Sequence, residues 1–268
     1  MLSLFSWFPH ARVPAAVSGL SCLFILGFTG RAAADCVDYQ GFLHWDSQTV
    51  CPADDIAIAG PLAFAIGSAD GLRVLDVSDP AAPVPLGSVN PAGSERAIAL
   101  TADLAVVGIG GGGLQVIDIS DPLVPALLGS VDTPGFNTGN VAASGRYAYL
   151  GEGTAVRIVD LIDPAHPALV GTKACAQLGD LDVSGSYVYV ADGNLLRVLN
   201  VSNPAAPSWV AAVATLGTGV DLVVSGRYAY LSINTYGLQI FDVLNPAAPV
   251  SVGALETGGA MATGLAVR

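Results

Sequence analysis

Lysine occurs once in this 268-residue chain, at Lys173, and the whole sequence carries 10 basic residues against 22 acidic ones. A surface that neutralises phosphates needs clustered cations, so this balance argues against a nucleic-acid partner and against a basic patch for anionic lipid. Histidine is nearly as scarce, with only His10, His44 and His166. A histidine-metal cluster or a Ser-His-Asp arrangement therefore has too few imidazoles to draw on. Charged residues amount to 12% of the chain, too few for long solvent-exposed helices. Beyond residue 34 no apolar stretch approaches the roughly 20 residues that span a bilayer, so no membrane span is expected in the mature chain.

Cysteine is also sparse: Cys22, Cys36, Cys51 and Cys175. Residues 1–34 differ from the rest of the chain, with Arg12, an apolar stretch from Val13 to Phe28, and Ala32-x-Ala34 as a small-residue cleavage pattern before Asp35. They read as a secretory signal peptide, the alternative being an uncleaved anchor, and place the mature protein outside the cytoplasm: secreted, periplasmic or at the cell surface. Loss of the leader removes Arg12 and Arg31 and no acid, leaving eight basic against 22 acidic residues, a net charge of −14. Such acidity favours solubility through self-repulsion. Cys36 and Cys51 lie near the two ends of a pre-repeat segment, residues 35–54, and form a disulfide candidate in an oxidising compartment, the alternative being two free thiols. Closing a loop of about 15 residues is worth roughly 3 kcal/mol. Cys175, with no histidine near it in sequence, reads as a small buried apolar side chain.

What is abundant is glycine, with 32, and proline, with 17, beside 52% hydrophobic residues. That combination favours many short buried strands joined by tight turns. An Asx-Pro-x-x-Pro turn recurs with first prolines at Pro80, Pro122, Pro164, Pro204 and Pro246, which are 42, 42, 40 and 42 residues apart. Each follows an apolar run: 72–76 LRVLD, 114–118 LQVID, 156–160 VRIVD, 196–200 LRVLN and 238–242 LQIFD. A period of about 40–45 residues with several strands per unit predicts an all-β fold, a β-propeller of four-stranded blades. The blades are expected at 55–96, 97–139, 140–179, 180–220 and 221–261, with a partial sixth at 262–268.

The unit is clearest in 221–260. Its first two strands meet across Ser225-Gly226, a turn matched at Ala59-Gly60, Ser144-Gly145 and Ser184-Gly185, with Thr101-Ala102 as the departure. Glycine there supplies the positive φ of a tight hairpin. The second strand alternates aromatic and small residues, as in Tyr147-Ala148-Tyr149, which puts each tyrosine pair on one sheet face. Asp79, Asp121, Asp163, Asn203 and Asn245 can accept a backbone hydrogen bond within their own turn while the next proline presets φ. The second proline opens the fourth strand, and proline cannot donate to a ladder, so that strand belongs at the outer rim and the first near the axis.

The Ser-Gly-x-Tyr-x-Tyr segment followed by an apolar-x-Val/Ile-apolar-Asp run and an Asx-Pro turn resembles the LVIVD-repeat proteins. The resemblance covers five repeats; the first two lack the tyrosines and the fourth ends in Asn200. It implies a secreted or surface-attached propeller and brings no catalytic residues with it. At the ends, Leu43 to Val50 occupies the place of a fourth strand and 264–268 that of a sixth first strand. The ring is expected to have six or more blades with one divided between the ends, the alternative being five blades with packed tails.

Aligned first strands give a column of Asp55, Ala97, Asn140, Asp180, Asp221 and Gly264. If first strands line the axis, Asp55, Asn140, Asp180 and Asp221 gather at one channel mouth and could hold calcium through oxygen ligands, or act as strand-end caps. Asp180 and Asp182 share a strand face and are expected near a solvated strand end. The Asp76/Asp79, Asp118/Asp121 and Asp160/Asp163 pairs are explained by turn formation, and the glycine run 108–113 by a hairpin, since no helix pattern or Lys-Ser/Thr follows it. Tyr39, Phe42, Trp45, Trp209 and Tyr236 are candidate interface anchors or core covers. Together these observations predict a noncatalytic scaffold without a required cofactor, binding a protein or carbohydrate. The alternatives are a metal-dependent propeller hydrolase or lyase and a repeat fragment of a longer adhesin.

Overall fold

The computed structural model describes residues 9–12, 25–26, 53–67, 71–79, 82–90, 93, 95–111, 113–133, 139–258 and 264–267. The described elements are all strands. Two short ones come first, β1 (Pro9–Arg12) and β2 (Ile25–Leu26). Blade 1 is β3 (Asp55–Ala59), β4 (Leu62–Gly67), β5 (Gly71–Asp76) and β6 (Val84–Val89). Blade 2 is β7 (Glu95–Thr101), β8 (Leu104–Ile109), β9 (Leu114–Asp118) and β10 (Ala126–Val131). Blade 3 is β11 (Asn140–Ser144), β12 (Tyr147–Glu152), β13 (Ala155–Asp160) and β14 (Ala168–Ala174). Blade 4 is β15 (Leu178–Ser184), β16 (Tyr187–Asp192), β17 (Leu195–Asn200) and β18 (Ser208–Ala214). Blade 5 is β19 (Gly219–Ser225), β20 (Tyr228–Ile233), β21 (Gly237–Asp242) and β22 (Val250–Glu256), and β23 (Ala266–Val267) follows it.

Each blade is an antiparallel meander in chain order. First strands are successive neighbours, β3 beside β7, then β11, β15, β19 and β23, which puts them round the axis and the fourth strands at the rim. This is the propeller that the 42-residue period predicts. β1 pairs antiparallel with β3, and β2 pairs parallel with β23. The rest of the expected leader, the Cys36/Cys51 pair, His44, the 43–50 strand, Tyr39, Phe42 and Trp45 lie outside the described residues.

The core is a series of layers between blades, because alternate residues of each strand face opposite neighbours. Phe64 and Val74 of blade 1 meet Ile98, Val107 and Ile117 of blade 2. Val106 and Val116 meet Val141, Leu150 and Val159. Tyr149 and Ile158 meet Leu181, Val190 and Leu199, while Tyr189 and Val198 meet Leu222, Leu231 and Phe241. The last layer is smaller: Tyr230 and Leu238 meet Leu265.

Turn chemistry holds the meander in register. The amides of Leu123, Ala165, Ala205 and Ala247 donate to the side-chain oxygens of Asp121, Asp163, Asn203 and Asn245 at 2.9–3.3 Å. Backbone bonds such as Val124 N to Asp121 O, 3.1 Å, close the same turns. Each blade also has a register shift between its third and fourth strands, as between Ile158 and Val159 in blade 3. Such a bulge sharpens the twist of the rim strand.

Candidate functional site at the inner strands

The inner-strand polar column is used up between blades. Asp55, 9% exposed, accepts hydrogen bonds from its neighbour Ile56 N and, at 2.9 Å, from Ile98 N of blade 2. Asn140 Nδ2 donates to Gly179 O of blade 4. Asp180, 2% exposed, accepts from Leu222 N of blade 5 at 2.8 Å, and Asp182 accepts from Val224 N at 2.7 Å, two rungs further along the same strand. Asp221 accepts from Leu265 N. Where the column holds Ala97, the junction is made elsewhere, by Thr101 Oγ1 donating to Gly145 O at 2.8 Å.

Each of the four candidate ligands thus turns toward the next inner strand. Among the described residues no three His, Cys, Asp or Glu side chains come together as a group that could hold a metal ion. The expectation that Asp180 lies near a solvated strand end is corrected: β19 covers it, because inner strands of adjacent blades pack side by side. A carboxylate accepting a backbone N–H supplies a partner to a donor that a strand facing the axis leaves outside its own ladder.

An axial cavity of about 200 Å³ runs between these strands, lined by Ala57, Ala99, Ala142, Asp182, Val223 and Ser225 among others. The wall mixes small apolar side chains with polar atoms in about equal measure, and its carboxylate, Asp182, also accepts from Val183 N at 2.8 Å.

A second set of polar residues was not singled out by the repeat alignment. Glu152 and Asp192, 4% and 3% exposed, end the second strands of blades 3 and 4. Glu152 accepts from Arg157 Nε and from Thr133 Oγ1. Asp192 accepts from Arg197 at 2.9 Å and from the amides of Ala176 and Gln177 at 2.8 and 2.6 Å. Burial pushes the Asp192 carboxyl upward, but the Gln177 amide, Arg197 and the Ala176 amide outweigh it and hold the group below the ordinary aspartate value. In blade 5 the second strand ends in Ile233, and the corresponding bond is made by Gln239 of the third strand, at the place of Arg157 and Arg197, which accepts from Leu216 N at 3.0 Å. All three tie a blade to the connection that enters it. The signal in sequence is an acid closing the second strand in two of the three repeats that place Arg in the third.

The aspartates of the Asx-Pro region are explained locally. Asp76 and Asp118 accept from Ser78 and Ser120, which hold their carboxyls low, and Arg146 does the same for Asp160. Of the glycine run, Gly108 and Ile109 end β8 and Gly113 precedes β9, with Ile109 N bonded to Gly113 O at 3.1 Å. Trp209 and Tyr236 are partly buried: the Arg197 guanidinium lies 3.9 Å from the Trp209 ring centre, and Tyr236 packs on the layer between blades 4 and 5. Burial is the main cause raising the Cys175 thiol to about 11, so it stays protonated at neutral pH.

Outside these networks, the face carrying the Asx-Pro turns exposes Leu123, Val124, Ile162 and Leu244 at 61–70%. They sit on the turns of blades 2, 3 and 5.

Among solved structures, a protein from Lactobacillus plantarum matches with TM-score 0.60 and 16% identity over 71% of this chain, which spans 64% of that protein. A proposed 6-phosphogluconolactonase from Bacteroides uniformis ATCC 8492 matches with TM-score 0.66 and 17% identity, over 76% of this chain and 70% of that one. BamB from Moraxella catarrhalis matches with TM-score 0.56 and 15% identity, over 76% and 61%. At such identities the likeness concerns the fold alone. No curated protein matches the sequence. The model of the LVIVD repeat matches five times, at 52–91, 92–133, 135–174, 177–215 and 217–257, and the chain belongs to the LVIVD-repeat family.

Proposed function

We propose that this propeller is a noncatalytic scaffold, exported from the cytoplasm, that binds a protein or carbohydrate partner on its Asx-Pro turn face. The observation that carries the reading is the division of labour between the two regions. The polar side chains near the axis are engaged in joining blades, whereas the turn face offers Leu123, Val124, Ile162 and Leu244 to solvent. Large apolar side chains on loops held by a rigid sheet scaffold are suited to act as binding anchors. The reading agrees with the family resemblance. The likeness to a proposed lactonase is one of fold and gives this chain no reacting groups of its own.

Leu123→Asp, Ile162→Asp and Leu244→Asp combined should leave the thermal midpoint close to that of the parent, because all three side chains are exposed. Screened against glycan and surface-protein arrays, the parent should show a ligand for which the triple variant loses at least tenfold in affinity. Equal binding by both proteins would move the partner to another face. Turnover of a sugar ester or lactone by the purified protein would overturn the scaffold reading.

A further inference from the structure

The outer flank of blade 5 is not finished like the junctions inside the ring. Val74, Val116, Ile158 and Val198, which face the following blade from the third strand, are all 0% exposed. Their counterpart Ile240 is partly exposed. At the opposite flank Ile56 and Leu75 of blade 1 are partly exposed, whereas Ile98, Val141, Leu181 and Leu222, and Ile117, Val159, Leu199 and Phe241, reach 2% at most.

A glycine in the rim strand says what kind of group covers such a flank. After the bulge in β6, β10 and β14 stand Gly87, Gly129 and Gly171. A Cβ on Gly87 would lie 2.5 Å from the carbonyl oxygen of Pro122, and one on Gly129 or Gly171 would collide with that of Ala165 or Pro204. In all three cases the obstacle is the backbone of the next blade's Asx-Pro turn. Blade 4 has Ala211 at this place. Blade 5 has Gly253, where a Cβ would meet nothing nearer than Ile240 Cδ1 at 3.9 Å. The glycine that elsewhere admits a neighbouring turn is present, and among the described residues no turn lies on it. The inner strand of a following blade is in place as well, since Asp221 holds Leu265 N and Leu265 is 3% exposed.

We propose that the outer flank of blade 5 is a docking site for a β-hairpin of this same repeat pattern, a second and third strand ending in an Asx-Pro turn seated over Gly253. The hairpin pairs with 264–267 in place of the two-residue parallel pairing with Ile25–Leu26. Its third strand covers Ile240 as Ile117 covers Val74. The mode is strand addition at a sheet edge, with main-chain hydrogen bonds giving affinity and the turn fixing register.

The probe is a synthetic peptide with the sequence of residues 226–249, which contains such a hairpin and its turn. Titrated into the purified protein, it should raise the thermal midpoint with increasing concentration and slow amide exchange in β22; a scrambled peptide should do neither. Gly253→Leu should keep the parent midpoint without peptide and lose the rise. Absence of a rise, or an equal rise in Gly253→Leu, overturns the proposal. Self-association of the peptide-free protein that Gly253→Leu abolishes would assign the flank to a second copy, and the hairpin assignment falls.

Discussion

The junction between blades 4 and 5 and the flank beyond blade 5 are built from the same columns of the repeat, yet they end in different environments. At the junction Val198 is fully buried and two carboxylates of one strand, Asp180 and Asp182, each take an amide of the next. At the flank Ile240 is partly exposed and one carboxylate, Asp221, takes the amide of Leu265. The repeat specifies an interface half; its energetic value depends on a neighbouring blade to complete it. This is the nearest-neighbour coupling expected of a stacked repeat.

The sharpest way to break the comparison is to put the same methyl group at both places. Gly171→Ala drives a Cβ into the Pro204 carbonyl, where neither backbone can yield without moving a blade, and should cost about 3 kcal/mol. For a domain of this size that lowers the midpoint by roughly 6–12 °C. Gly253→Ala should be neutral within about 0.5 kcal/mol. Equal losses in two thermal scans would mean that the flank is as enclosed as the interior.

Removing a carboxylate comes next. Asp180→Ala leaves the Leu222 amide buried without that acceptor, and a lost buried partner costs about 1–3 kcal/mol. Asp221→Ala should cost less, because Leu265 directly precedes the two-residue β23, whose release leaves the five blades intact. Amide exchange separates the two: the first variant should accelerate exchange across β19, the second only around Leu265. Millimolar calcium, which in the channel-mouth alternative raises the midpoint of the parent and not of these two variants, should leave the parent's midpoint unchanged.

These acids show how far the sequence could be read. Periodicity alone located the strands, the rim prolines and the column containing Asp55, Asn140, Asp180 and Asp221, because turn chemistry and strand alternation are local and repeat every 40 to 42 residues. The column's role was not legible. Whether a side chain at the start of an inner strand points along the axis or toward the next blade depends on sheet twist and on the stagger between blades, and neither leaves a mark in one repeat. The 43, 42 and 44 residues separating Asp55 from Ile98, Asp180 from Leu222 and Asp221 from Leu265 are the trace it does leave. Glu152 and Asp192 were missed for another reason: only blades 3 and 4 carry an acid there, so a search for what is common to all five passes over them.

Acid titration compares blade 4, with its Asp192–Arg197 pair, and blade 5, where the neutral Gln239 caps the corresponding connection. The folded Asp192 pKa lies below the unfolded value of about 3.9. Its contribution is therefore fully present above that value and is lost as pH falls through the lower folded one. Stability should be nearly level from pH 7 to about 5 in this respect and fall below about 4. Asp192→Asn should start lower at pH 7 and lose less between pH 5 and 3, by denaturant midpoints. A parallel acid limb in the two proteins would remove Asp192 from the account.

The smallest effect should come from a turn that resembles its neighbours in shape but not in sequence. Gly60, Gly145, Gly185 and Gly226 close the first hairpin of blades 1, 3, 4 and 5 at φ of 56–58°, and Ala102 takes 47° at the same place in blade 2. A Cβ in that left-handed region crowds the following carbonyl at a cost of about 1–2 kcal/mol, part of which glycine gives back through its larger unfolded-state entropy. Ala102→Gly should therefore stabilise the protein by roughly 0.5–1 kcal/mol, seen as a rise of a few degrees at most. The adjacent Thr101 hydroxyl bond to Gly145 O joins blades 2 and 3 and does not depend on the Ala102 side chain, so the gain should persist when Thr101→Val removes that bond. A gain that vanished in the double variant would show that the turn acts through the blade junction, and hairpin strain and blade coupling would no longer be separable terms in this ring.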